Sequence, residues 1–577
     1  MRASRTAAPV IAMLAVACLA RAAAAPSAPP PAAAVSHAPV LVTIVVDQLA
    51  AWMADERWPA LPADGGFARL RREGLTVREM HFAHAATETA PGHSALYTGA
   101  VPRESGIVAN DVVPPGGGEP VALLAAPGTF LVTPTGPGPG PGSSLDALRV
   151  DTLADALVAA APDATVISLS LKDRGALFGA GHHPSAVVWL DVEEGTFVTS
   201  SAFAQAFPAW ATPLGDAAAL KAAMAAPWQL GDPAWVAAHA ATADNAPGEG
   251  SYQGLGRTFP HPATNVKALR ATPAGDALLF ALADAAVGEI AKRNGPGLLA
   301  VSLSSHDYIL HVFGPHSWEA WDELAKLDRA LALFLDRLDR ALGPDGYAVM
   351  LTGDHGGNAL PELSTAPPSP WCAHGGRPDH WQRTCGPRRR LVASEIADAL
   401  EDALDKKFAH RVFVPFIAGM ADPFISFGAE IRGLPPADQA LLLRTAKDVL
   451  RRRFGFAEVF DVRAMPARCP PLTDESLRAL VCRSVRPDGP GDLYLVVKPG
   501  SFVDPKLAVG AGTSHGSPYL YDRAVPLLVR APGRVPAGVV RTKPVMFDAF
   551  ARTAAALLGV RPPAAAAAGE DLTRPQR

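Results

Sequence analysis

The chain has 577 residues and a mass of 60.0 kDa, with 49% hydrophobic and 19% charged residues and a formal net charge of −4. That length exceeds the ~100–200 residues of an ordinary domain, so one large domain with insertions, or several domains, is expected. With 52 Lys and Arg against 56 Asp and Glu, no bulk positive charge is available to hold a nucleic acid polymer, and the apolar content excludes general disorder.

The N-terminus has the layout of a secretory signal. Arg2 and Arg5 precede an apolar run from Ala7 to Ala20, and Arg21 and a string of alanines follow it. The run is shorter than the ~20 residues that span a bilayer, and no later segment looks like a stable membrane span. Residues 1–25 are therefore expected to be removed, leaving a periplasmic or secreted chain. An uncleaved anchor is the rival reading. Removal takes away three arginines and no acid, which moves the net charge from −4 to −7. Residues 26–36 form a Pro/Ala linker. Of five cysteines, Cys18 leaves with the signal, and the rest fall into two pairs with a separation of 13. Export predicts local disulfides Cys372–Cys385 and Cys469–Cys482, since a structural zinc site would need tighter spacing.

Val40–Val46 (VLVTIVV) is an almost wholly apolar, β-rich run that ends at Asp47. The pattern recurs at Ala164–Leu171 before Lys172, at Leu298–Ser304 before Asp307, and at Ala348–Thr352 before Asp354. Unbroken apolar runs predict strands buried on both faces, hence a mostly parallel sheet covered by helices. Helices are expected at Asp151–Ala160, Gly275–Arg293 and Trp318–Leu342. The fold class is α/β, and each strand delivers a polar residue to the end where ligands bind in such sheets. Insertions are expected at about 112–144 (a flexible Gly/Pro loop), 182–270 (a tryptophan-bearing cap) and 358–510, with a loosely ordered alanine tail at 564–568.

Asp307 and His311 are four apart, which on a helix puts both on one face. Asp354 and His355 follow a strand directly, Asp47 ends another, and His515 sits in the Gly-flanked GTSHGSPY. Three aspartates and three histidines supply two mixed N/O ligand groups of a kind that suits zinc. Taken singly, each has a plain explanation as a helix cap or a core histidine; six in such settings do not. Thr89 opens TAPGH, where Pro91 marks a first helical turn and an anion is favoured. Asn110 lies in a turn, and Lys172 and Arg174 could clamp the oxygens of a phosphoryl group in a metal cleft. His81, His84, His93, His182, His183, His316, His374 and His380 fit no ligand pattern and read as structural or surface residues.

The ordered set IVVDQ at 44–48, ATETAPGHSALYTGAVPRESGIVAND at 86–111, SLKDRGA at 170–176, SSHDYILHVFGP at 304–315, TGDHG at 352–356 and SHGSPYLYD at 514–522 resembles the alkaline phosphatase superfamily. More closely it resembles the PafA-like alkaline phosphatases, relatives of type I phosphodiesterases/nucleotide pyrophosphatases. The resemblance implies a sandwich with a central, mostly parallel sheet. It also implies two Zn2+ ions, one on Asp307, His311 and His515, the other on Asp47, Asp354, His355 and Thr89. It makes Thr89 the nucleophile, with Asn110, Lys172 and Arg174 on the phosphoryl oxygens, and small phosphate monoesters the substrates of a monomer. The Lys-x-Arg pair is the part that points to monoesters. Two rivals stand beside this reading: a phosphodiesterase or nucleotide pyrophosphatase with the same metals, and a secreted zinc- or phosphate-binding protein without turnover. Sulfatases require a Cys in C-x-P-x-R, whereas Cys469-Pro-Pro is followed by Thr473 at the Arg position.

Overall fold

The structure is a computed structural model that describes residues 39–363, 389–408, 412–503 and 510–574. A twelve-stranded sheet forms its centre. From one edge the order is Val539–Arg541, Leu75–His81, Ala524–Arg530, Ala348–Thr352, Val40–Val46, Gly297–Leu303, Thr165–Ser170, Ala186–Asp191, Thr196–Ser200, Ala125–Thr133 and Gly136–Ser143. The twelfth strand, Val545–Met546, also pairs with Leu75–His81. Five neighbours from Ala348–Thr352 to Ala186–Asp191 run parallel.

The apolar runs explain the burial. Along Val40–Val46, Val42, Ile44 and Val46 enter one core cluster while Leu41 and Val45 enter another. Alternate side chains thus bury on opposite faces, as expected of a strand covered by helices on both sides. The helices Pro273–Ala291 and Trp318–Leu342 contribute to the first cluster, and Thr89–Thr98, Leu153–Ala160, Asp173–Ala180 and Asp548–Leu558 contribute to the second. Leu153–Ala160 starts at Thr152 in a capping box with Asp155, which satisfies two orphan backbone donors.

Ala524–Arg530 runs antiparallel to Ala348–Thr352. Its first residues therefore lie at the edge where the parallel strands end, and the loop before it, which carries His515, reaches that edge. A second, four-stranded antiparallel sheet has the order Ile417–Ala421, Phe424–Phe427, Leu493–Val496 and Glu458–Asp461, and packs against helices Ala393–Lys407 and Pro436–Val449 in a core of its own. Cys469 and Cys482 form the expected disulfide. The expected Cys372–Cys385 bridge, the signal and the linker lie outside the described residues. Among the described residues, no helix is long and apolar enough to cross a membrane.

Two expectations are corrected. The Gly/Pro stretch is not a flexible loop: Ala125–Thr133 and Gly136–Ser143 form a hairpin that extends the central sheet through Thr196–Ser200. Its second strand is the sheet's last, and an edge position tolerates residues that lack an N–H. Two tryptophans of the 182–270 segment serve the core. Trp189 lies in a core strand, and Trp228 is buried with its indole N–H on Asp322 Oδ2 at 2.6 Å, against the long helix. The alanine tail is ordered as a 3₁₀ turn at Ala564–Ala568, with Ala566 packed where a Cβ on left-handed Gly99 would fall.

Candidate active site

The site grows from strand ends that share one edge. Asp47 follows Val46, helix Ser305–Phe313 follows Leu303, Lys172 lies just beyond Ser170, and Asp354 lies just beyond Thr352. Because these strands are adjacent, residues 307 positions apart in sequence meet. Thr89 is the first residue of helix Thr89–Thr98 and is 1% exposed. That helix approaches the Asp354 backbone closely, and a Cβ on Gly92 would collide with the Asp354 carbonyl oxygen.

Two ligand groups result, Asp307 with His311 and His515, and Asp47 with Asp354 and His355. In each, one donor atom from every residue lies within 4.8 Å of the others. His311 Nε2 is 3.3 Å and His515 Nε2 3.6 Å from Asp307 Oδ1, while His355 Nε2 is 3.4 Å from Asp47 Oδ1. The groups abut, with the His355 and His515 rings stacked at a centroid distance of 3.8 Å. Each histidine's other nitrogen is engaged by a carbonyl: Thr513 O for His311, Gly356 O for His355 and Thr87 O for His515. This fixes the tautomer that presents Nε2 inward. Asp47 Oδ1 and His355 Nε2 are buried and make no hydrogen bond, and Asp354 Oδ2 has His93 Nδ1 at 3.0 Å as its near partner. Orphaned buried polar atoms from two residues, facing each other beside a third carboxylate, are what a cation site requires.

Electrostatics agree. Burial opposes ionisation of Asp307, but Lys172 and His311 outweigh it and hold the carboxyl well below its usual range. Burial likewise opposes ionisation of Asp354, but His355 and His93 hold its pKa at about 2. Burial and the adjoining His355 and His311 push His515 well below the ordinary imidazole value, so it stays a neutral donor.

Lys172 Nζ lies 2.6 Å from both Asp47 Oδ2 and Asp307 Oδ2, and 3.4 Å from Thr89 Oγ1. It thereby touches both ligand groups and the hydroxyl. Arg174 lies two residues on, in the first turn of helix Asp173–Ala180, with a side chain 31% exposed and Nη1 3.8 Å from Asp173 Oδ1. Asn110 accepts the Ala90 N–H through Oδ1 at 2.8 Å, and its own N–H is held by Glu88. That orientation leaves the Asn110 amide nitrogen free of the helix end.

The sequence leaves His93 among the structural histidines, yet the structure sets its Nδ1 3.0 Å from Asp354 Oδ2 and its Nε2 2.9 Å from Ser302 Oγ. Its position four residues after Thr89 on one helical face was the available signal. Tyr308 was equally unmarked: its ring carries Lys172 Nζ at 4.8 Å and the Arg270 guanidinium at 4.3 Å, and Arg270 donates to its hydroxyl.

Residues 41–382 match the model of the type I phosphodiesterase/nucleotide pyrophosphatase family. The alkaline phosphatase PhoK of Sphingomonas sp. is 30% identical over 513 residues, covering 85% of this chain and 83% of that one. PhoV, an alkaline phosphatase of Synechococcus elongatus, is 28% identical over 539 residues, covering 92% and 91%. The crystal structure of wild-type alkaline phosphatase PafA superposes with a TM-score of 0.77 at 25% identity, covering 94% of this chain and 99% of that one. The chain belongs to the type I phosphodiesterase/nucleotide pyrophosphatase family. Within it, the sequence and fold are those of a PafA-like phosphatase.

Proposed function

We propose that the protein is an exported alkaline phosphatase that hydrolyses small phosphate monoesters with two zinc ions and a phospho-threonine intermediate. The observation that carries this reading is the meeting of Thr89, Lys172 and two three-ligand groups at one sheet edge. Asp307, His311 and His515 hold one ion; Asp47, Asp354, His355 and the Thr89 oxygen hold the other. When bound, such a pair supplies charge stabilisation for the attacking and leaving oxygens and lowers the pKa of a coordinated hydroxyl.

The chain's own residues do the rest. Thr89 Oγ attacks phosphorus in line, its P–O bond forms, and the P–O bond to the alcohol breaks. Water then displaces Thr89 from the opposite side, releasing phosphate and restoring the hydroxyl. Asn110, Lys172 and Arg174 donate to the non-bridging oxygens, where charge must be held in fixed geometry. A dianionic monoester gains more from the two cations than a monoanionic diester does.

The test is Thr89→Ala, which is expected to abolish turnover while metal content stays native. An active variant with native metal would remove the nucleophile assignment. The family match supports a second reading, hydrolysis of diesters or nucleotide esters. Rates on a nitrophenyl monoester against a bis-ester separate the two, and a preference for the bis-ester would overturn the role given to Lys172 and Arg174.

A further inference from the structure

Gln48 follows Asp47 directly and is 1% exposed. Its backbone is left-handed, with φ 68°. Among the described residues only Asn245 and Gln253 share that region without being glycine, and both are exposed. An unbranched but bulky side chain in this region is strained, and glycine would be the relaxed choice. Strain of this kind persists where the surroundings require it and clusters at functional sites.

The reason for keeping a side chain here lies in what Gln48 touches. Its backbone N–H donates to Asp354 Oδ1 at 3.1 Å, in one ligand group. Its side-chain amide donates from Nε2 to Asp307 Oδ1 at 3.0 Å, in the other. The left-handed turn sends the N–H and the side chain towards different carboxylates. The fold also leaves room for it: a Cβ on Gly357 would strike the Gln48 side chain.

We propose that Gln48 is a positioning residue that ties the two ligand groups together, fixing the Asp307 carboxylate relative to Asp354. The Asp307 carboxylate would then be held ready for an ion by a tie that starts in the Asp354 group. The inference rests on the two-metal reading. A shell residue holding a ligating carboxylate typically changes metal affinity by ~10–100-fold when lost.

The experiment uses Gln48→Gly and Gln48→Asn in the full chain. Glycine removes the amide and relaxes the backbone while keeping the N–H; asparagine tolerates the left-handed turn but is one methylene short. Metal-stripped protein is titrated with Co2+, and the two absorption steps are followed separately. The expected result for both variants is a step for the Asp307 group weakened about tenfold or more, with the Asp354 group within about threefold of wild type. Metal-free Gln48→Gly should melt no lower than wild type, because strain is released. A merely structural role predicts the reverse, a lower midpoint with both steps weakened together, and would overturn the proposal. So would wild-type affinity at both steps. A wild-type chain that takes up no Co2+ would overturn the two-metal reading and the proposal with it, which keeps the two failures distinct.

Discussion

At the scale of single residues the site is a balance of buried charge, and that balance sets a pH response. Burial disfavours the charged form of His355, but Asp354 and Asp47 overcome this and raise its pKa to about 10. The metal-free imidazole therefore carries a proton at neutral pH, which an incoming ion must displace. Metal uptake should release that proton, and apparent affinity should climb with pH up to about 10, as read by an indicator dye in weak buffer. The phosphoryl clamp makes a second prediction. Arg174→Ala should lower the monoester rate by ~10²-fold or more and the diester rate much less, measured as kcat/KM on both. His93→Ala should weaken metal binding ~10–100-fold, because Asp354 loses the ring that orients it. Residue chemistry was legible where a type announces itself: aspartates and histidines stand out at the ends of apolar runs. Gln48 and Tyr308 were not legible, since an amide or a phenol has no meaning until its neighbours are known.

Among the elements, helix Ser305–Phe313 is the most consequential, for it presents both Asp307 and His311. Its start is held from another helix, where Asp276 Oδ1 accepts the N–H groups of Ser304 and Ser305 at 3.1 Å each. Burial, helped by Glu323, raises the Asp276 pKa to about 8. The unfolded chain would release that proton near the ordinary carboxyl value of about 3.9. Between those limits the unfolded state binds fewer protons, so stability falls as pH rises from about 4 to about 8. Asp276→Asn, which keeps the acceptor, should flatten that decline and stabilise the protein by ~1–3 kcal/mol at pH 8. Urea unfolding at pH 5 and pH 8 checks it. The disulfide Cys469–Cys482 closes a short loop, and replacing both cysteines with alanine should cost at most about 3 kcal/mol. Elements with one strong signal were readable. Trp318–Leu342 and the four apolar strands fall within a residue or two of their expected bounds. The hairpin was not readable, because alternating Gly and Pro mark irregular backbone everywhere except at an open edge.

For the whole molecule, the six carboxylate and imidazole ligands converge from four separated stretches of the central sheet and its flanking loops, so the site exists only in the folded chain. Any ion it holds stabilises that state by mass action, by about 4 kcal/mol at a thousandfold excess over the dissociation constant. Chelation at neutral pH should lower the calorimetric midpoint, and readdition of zinc should restore it. Topology at this scale was mostly beyond the sequence. Four parallel strands could be named, but their order, with Ala348–Thr352 beside Val40–Val46 and an antiparallel Ala524–Arg530 outside, depends on long-range packing that no local pattern records. The sheet also has two ends, and one of them is unusual. In Gly136–Ser143 the residues alternate, so Pro137, Pro139 and Pro141 all face the same way. All three are exposed, and a last strand with three prolines has few amide hydrogens left to offer a passing strand. A molecule with so broad a sheet is thereby protected against growing into a fibre through this border, and replacing the three prolines with threonine should turn an inert margin into an adhesive one.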